Sequence, residues 1–193
     1  NIDGSILTSV DNSGRRLRYN SPASRQDKLI HDWKERISNL HTPPSHQSDV
    51  LVLLPCSATK PYRLSQSHHR FLKNIPSNRM HQVMVTSPLG LVPRELEDIW
   101  PAAHYDIPVT GDWDADELGI INSMIIDICK RSNYSYVINH SGIDLELDMV
   151  VVKGTRRGTA GSKESLSELN NSVIESVEMY GLDDVSEKLN RIE

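Results

Sequence analysis

Short branched apolar runs alternating with amphipathic stretches predict an α/β layered fold built on a mainly parallel sheet. Two observations carry this expectation. Val50–Leu54 is an unbroken apolar run, the pattern of a strand covered on both faces. Shorter runs follow at 82–86, 105–109 and 134–139, and between most of them the apolar residues recur at helical spacing.

In chain order, residues 1–23 show no sustained period. Ile6–Val10 suits an edge strand or a mobile arm, so 1–23 is set aside as a peripheral or flexible arm and 24–193 as one domain. Leu29, Ile30, Trp33, Ile37 and Leu40 predict a helix from Ser24 to about Asn39, and His41–Asp49 is a connector. Pro55 ends the Val50–Leu54 strand. Leu64, His68, Phe71, Leu72 and Ile75 mark one face of a helix closed by Pro76. After the strand Gln82–Thr86, Pro93 reads as the first position of a helix through Arg94-Glu95-Leu96-Glu97 that stops at Trp100-Pro101. Tyr105–Val109 is a third strand, weakened by Pro108.

Asp114 and Glu117 form a capping pair for a long helix. Leu118, Ile121, Ile125 and Ile128 share its buried face, which Ile120 and Met124 widen. Tyr134–Asn139 and Leu145–Val152 read as further strands, followed by a helix Lys163–Tyr180 with Ser165 and Glu168 as a capping box. Leu182–Glu193 reads as a short acidic helix. Trp33 and Trp100 are expected in the core. Right-handed crossovers would line the strand ends Pro55, Thr86 and Asn139 along one edge.

Composition narrows the function. At 193 residues the chain suits one domain, and no apolar run approaches the roughly 18 residues that span a bilayer, so no membrane partner is expected. Two cysteines, Cys56 and Cys129, make neither a disulfide framework nor a cysteine-rich zinc site. They favour a reducing, cytoplasmic setting with no metal. Charge is segregated. Between Val50 and Arg94 there is no Asp or Glu, while Lys60, Arg63, Arg70, Lys73, Arg79 and Arg94 are basic; removing these six positive charges from a chain of formal charge −5 leaves −11 elsewhere. A basic face of this kind suits a polyanion.

The same segment concentrates reactive side chains. A thiolate at Cys56, just past a strand end, would be stabilised by Lys60, Arg63 or a protonated His68; a small buried residue is the plain alternative. Pro61 can aim Lys60, and Ser65 and His68 lie three apart, on one face if helical. His68 is a candidate acid–base group. Gly90, within Pro88–Arg94, permits close backbone approach, or is ordinary turn chemistry. Lys153, Arg156 and Arg157 lie in a three-glycine loop ahead of a helix, either a phosphate cradle or a surface loop. Asp112, Asp114, Asp116 and Glu117 fit a solvated helix start better than a metal or cation site.

Pro55-Cys56, Lys60-Pro61-Tyr62, Ser65 and His68 stand at the spacing PC-x3-KPY-x2-S-x2-H, and this resembles the signature of the archaeosine synthases, relatives of archaeal tRNA-guanine transglycosylase. Ser87–Glu97, Trp100-Pro101 and Tyr105–Pro108 also resemble that family, so the likeness covers roughly residues 50–170. It implies a three-layer α/β/α fold comparable to the uracil-DNA glycosylases. It also implies a tRNA-modifying transferase that joins L-lysine to the nitrile of 7-cyano-7-deazaguanine in the D-arm of archaeal tRNA. A radical-SAM partner then cleaves the adduct in some lineages, and the core reaction implies no cofactor. Members carry transglycosylase-like and RNA-binding PUA parts for which this chain has no room, so it is expected to be a split subunit or an excised domain. On this likeness Cys56, Lys60 and His68 are catalytic. Pro55, Pro61, Tyr62, Ser65, Ser87, Gly90 and Arg94 surround the modified base, and Lys153, Arg156 and Arg157 contact RNA. The competing readings are a non-catalytic tRNA-binding or scaffolding subunit and, by fold analogy, a nucleobase-excising glycosylase, which the absence of acids from the basic segment disfavours.

Overall fold

The computed structural model describes residues 17–18, 28–76, 78–106, 113–148, 151–152 and 160–180. Within them a five-stranded sheet has the order β4-β3-β2-β6-β7, with β2 Val50–Pro55, β3 Met80–Thr86, β4 Gly90–Pro93, β6 Tyr136–Asn139 and β7 Val151–Val152. All its pairings are parallel except β3 with β4. A separate parallel pair joins β1 Leu17–Arg18 to β5 Tyr105–Asp106. The register sets Pro55 opposite Val85 and Leu53 opposite Asn139, so the carboxyl ends of β2, β3 and β6 share one edge, as expected from the strand order.

Alternation along the central strand explains the layers. Leu51 and Leu53 pack with Ile30, Trp33 and Ile37 of α1 (Lys28–Asn39) and Ile121, Ile125 and Ile128 of α3 (Ala115–Arg131). Val50, Val52 and Leu54 pack with Phe71 of α2 (Gln66–Asn74) and Leu169, Val173 and Val177 of α4 (Lys163–Tyr180). Successive strand side chains point to opposite faces, so an uninterrupted apolar run requires a cover on each side. The helices lie on both faces of the sheet.

Several expectations need correction. Gly90–Pro93 is an antiparallel edge strand, and the helix expected from Pro93 to Trp100 is only a 3-10 turn over Arg94–Leu96. Pro93 has ψ 144°, extended because it is paired with Val83, so it cannot open a helix. The Leu64–Ile75 helix shortens to Gln66–Asn74, and Leu64 and Leu72 are exposed rather than on its buried face. Ile120 is likewise exposed on α3, while Met124 is buried. The last helix is capped by Ser162, whose Oγ accepts from the Ser165 N–H at 3.2 Å; Ser165 lies inside the helix and bonds His140 Nε2 at 2.9 Å. Residues 145–147 are not strand, and Trp100 is half-buried rather than core. Asp114 does cap α3, accepting from the Glu117 N–H at 2.9 Å. The Ile6–Val10 segment, the start of the first helix at 24–27, the end of the Tyr105–Val109 strand, Asp112 and the 182–193 helix lie outside the described residues.

Gly90 has φ +79°, and a Cβ there would lie 2.5 Å from Met124 Sδ. The close approach it permits is thus to the core side chain of α3. Gly90→Ala is expected to lower stability by about 1–2 kcal/mol, chiefly because an L side chain is strained at that φ. Urea unfolding with an unchanged m-value would measure it.

Candidate active site

Ser65 sets the first piece of the site. Its Oγ accepts from the His68 N–H at 3.2 Å, capping α2 and turning His68 inward beneath the end of β2. There His68 Nε2 donates to the Pro55 carbonyl at 2.9 Å, which leaves Nδ1 to accept from Arg94 Nη2 at 2.9 Å. The tautomer is therefore fixed by its partners. Arg94 is held in turn by Gln82 Oε1, at 3.1 Å from Nε and 2.9 Å from Nη2, and by Glu97 Oε2 at 3.3 Å from Nη1. Glu97, itself buried, also accepts from the Arg63 N–H at 3.0 Å.

This arrangement changes what His68 can do. It is fully buried with both nitrogens engaged, and burial, together with the charges of Arg94 and Lys60, pushes its pKa down to about 3. The sequence makes His68 a candidate acid–base group. In the structure its imidazole ties the strand end to Arg94. The linkage has a measurable sign. An unfolded histidine takes a proton near pH 6.5 and the folded one near 3, so the unfolded chain binds more protons between these values. Stability is expected to be intact above about 6.5 and to fall by several kcal/mol as pH drops through that window. His68→Asn should flatten this acid limb of the stability–pH profile.

Lys60 and two tyrosines form the second piece. Lys60 is 8 % exposed, and its Nζ lies 4.4 Å from the Tyr105 ring centroid and 5.6 Å from that of Tyr62. Both are distances at which an ammonium is attracted to an aromatic face. The phenols bond each other, and Tyr105 also bonds Thr86 Oγ1 at 2.5 Å, which reaches the Ser87 carbonyl at 3.4 Å. Burial raises both phenol pKa values, and a thiolate at Cys56 raises them further, so both are neutral donors. Cys56 is half-buried and packs against the core beside these rings. The Tyr62 and His68 rings, 5.3 Å apart, join the two pieces.

Cys56, Lys60, Tyr62, Ser65, His68 and Arg94 therefore lie around the shared strand edge. Pro55 contributes its carbonyl there, Pro61 leads into the turn carrying Tyr62, and Ser87 follows Thr86 at the end of β3. Gly90 is paired with Thr86 at the end of β3, and a Cβ on it would face Met124 of α3. Lys153, Arg156 and Arg157 lie outside the described residues; of their loop residues 160–162 are described, and the Gly161 carbonyl accepts from Arg70 at 2.7 Å. Tyr105, Gln82 and Glu97 were not anticipated as site residues, and Thr86 was expected at the strand edge but not as a hydroxyl partner. Tyr105 opens β5, outside the five-stranded sheet, so the carboxyl-end signal that marks Thr86 does not reach it.

Fold and site together define a helix–sheet–helix α/β domain with a cysteine–lysine–tyrosine centre at the carboxyl edge of its parallel strands. Residues 30–173 match the family described as "Domain of unknown function (DUF5591)". The chain belongs to that family and is related to the archaeosine synthases. It is 37 % identical over 177 residues to the archaeosine synthase subunit alpha of Methanosarcina acetivorans, covering 79 % of this chain and 28 % of that protein. It is 35 % identical over 193 residues to the archaeosine synthase of Methanocaldococcus jannaschii, covering 90 % and 32 %. With the Haloferax volcanii archaeosine synthase the identity is 49 % over 90 residues, covering 47 % and 15 %. The chain thus spans less than a third of each of these relatives. The crystal structure of AF0587, a protein of unknown function, superposes with a TM-score of 0.54 at 23 % identity, over 73 % of this chain and 49 % of that one, which supports the fold alone. No helix among the described residues is long and apolar enough to cross a membrane.

Proposed function

We propose that this chain is the amine-adding core of an archaeosine synthase, a cytoplasmic tRNA-modifying transferase that joins L-lysine to the nitrile of 7-cyano-7-deazaguanine in the tRNA D-arm. The observation that carries the reading is the convergence of Cys56, Lys60 and the Tyr62–Tyr105 pair at one edge, in a chain related to archaeosine synthases. The Cys56 thiolate adds to the nitrile carbon, and the nitrile nitrogen takes a proton from the Lys60 ammonium, giving a thioimidate. The incoming amine adds to that carbon, the carbon–sulfur bond breaks, and Lys60 recovers the proton the amine loses. The product is an amidine, and the thiolate is regenerated. His68, neutral and doubly bonded, positions the Pro55–Cys56 strand end against Arg94 and moves no proton itself.

The names of several relatives, archaeosine synthase subunit alpha, support a multi-subunit assembly. The partners proposed for it are a transglycosylase-like or PUA-bearing subunit that holds the tRNA and a radical-SAM enzyme that consumes the adduct. Lys153, Arg156 and Arg157 remain the proposed RNA contacts. The three-layer arrangement is also the reason for the proposed kinship with uracil-DNA glycosylases. The test is incubation of the chain with cyano-deazaguanine tRNA and labelled lysine, with and without the transglycosylase-like partner. Lysine-dependent label in the tRNA is the expected result. Absence of label under both conditions overturns the reading in favour of a scaffolding subunit.

A further inference from the structure

His41, His81 and Glu95 meet on the opposite side of the sheet from His68. His81 sits in register with Leu51, which packs with α1 and α3, while Gln82 is in register with Val52, which packs with α2 and α4. The consecutive residues Arg94 and Glu95 diverge accordingly, Arg94 to Gln82 and His68, Glu95 to the two imidazoles. His41 Nε2 lies 2.8 Å from Glu95 Oε1, and His81 Nε2 lies 2.9 Å and 3.1 Å from Oε1 and Oε2. The three ligand atoms all lie within 4.8 Å of one another. Each comes from a different element: the loop after α1, the strand β3, and the turn after β4.

We propose that His41, His81 and Glu95 form a binding site for a divalent transition-metal ion of the zinc class, distinct from the cysteine–lysine–tyrosine centre. Four observations support it. The donor set, two imidazoles and a carboxylate, is one that zinc takes with a further position left for water. A tetrahedral ion with bonds of about 2.0–2.2 Å holds its donors about 3.3–3.5 Å apart, a few tenths of an ångström wider than the hydrogen-bonded contacts here. The ion replaces the two protons those contacts share.

The second nitrogen of His81 already has a partner of the kind that orients a metal ligand, since Nδ1 lies 2.5 Å from the Tyr134 hydroxyl. The Ser132 hydroxyl beside Tyr134 can accept the hydrogen bond of the phenol O–H when His81 Nδ1 becomes the donor. Position and access complete the case. Arg131 Nη2 holds the His41 carbonyl at 2.9 Å, and the His41 and Glu95 side chains keep 11 % and 27 % exposure, an entry path to a site whose third ligand is wholly buried. An ion here clamps α1 to the sheet edge and fixes the turn that presents Arg94.

The test is titration of the tag-free chain with Zn²⁺ by calorimetry and with Co²⁺ by visible absorption. One ion per chain is expected, with a Co²⁺ spectrum of nitrogen and oxygen ligands, affinity lowered at least about 100-fold in His41→Gln and in Glu95→Gln, and about 10–100-fold in Tyr134→Phe. His41 and Glu95 lie in a loop and a surface turn, so these variants are expected to fold; the wild-type Co²⁺ spectrum tests the site without any substitution. No saturable binding by the wild type, binding unchanged in His41→Gln, or a spectrum dominated by thiolate charge transfer would each overturn the proposal. None of these readouts depends on tRNA modification, so the site and the catalytic reading fail separately.

Discussion

Replacement of Cys56 by alanine is expected to reduce single-turnover lysine addition at least about 10³-fold, equivalent to about 4 kcal/mol of transition-state stabilisation. The expectation rests on the nitrile, a weak electrophile toward a protonated amine. Without a covalent step, the whole acceleration would fall to proximity and to the Lys60 ammonium. Cys56 is half-buried at the edge of the core, so losing its sulfur should leave the melting temperature nearly unchanged while the rate collapses. A second readout separates mechanism from packing. Acid-quenched wild-type reactions lacking lysine should retain tRNA covalently bound to the chain, and Cys56→Ala should not. An unaltered single-turnover rate in the variant would leave direct attack by the amine as the working mechanism.

What the sequence disclosed follows from how local each feature is. Val50–Leu54 was legible because a doubly covered strand needs nothing but consecutive apolar residues, and the reactive residues after it lie within one loop and one helix. Gly90–Pro93 was not. Its two breakers read as a turn and a helix start, and only the pairing of Pro93 with Val83 makes it an edge strand. Tyr105 was visible as strand but not as a hydroxyl partner, because Tyr62 and Thr86 reach it only through the convergence of elements far apart in the chain.

His68 was found for a reason that did not fix its chemistry. Spacing reveals that a histidine is present, while burial and the Arg94 contact decide that it stays neutral. The acidic partner escaped notice for a related reason. The segment 50–94 contains no carboxylate, and Glu97, just beyond it, folds back beneath Arg63 and Arg94.

That fold-back makes Arg94→Met the substitution with the largest expected effect on stability, about 3–5 kcal/mol. The Arg94 side chain is 14 % exposed and that of Glu97 is 4 % exposed, so removing the cation leaves a buried carboxylate whose remaining ion-pair partner among the described residues is Arg63. It also leaves His68 Nδ1 and Gln82 Oε1 without their donor. Removing one partner of a buried pair costs far more than the pair contributes when intact, because the remaining group stays desolvated. Burial lowers the Arg94 pKa while Glu97 opposes that, which is how the guanidinium stays charged in this position.

If the loss arises from the stranded carboxylate, Glu97→Gln should recover a good part of the stability of Arg94→Met, and the double-mutant cycle should show a coupling of about 1–3 kcal/mol. Urea unfolding of the four proteins at pH 7 gives that number. Additivity of the two substitutions would place the destabilisation in His68 and Gln82 instead. The two possibilities have different catalytic consequences. A stranded Glu97 weakens the fold around an intact centre, whereas a released His68 frees the Pro55–Cys56 strand end and moves the nucleophile. Single-turnover rates on the Arg94→Met, Glu97→Gln double variant therefore separate them: recovery of stability without recovery of rate identifies His68 as the link between Arg94 and the cysteine.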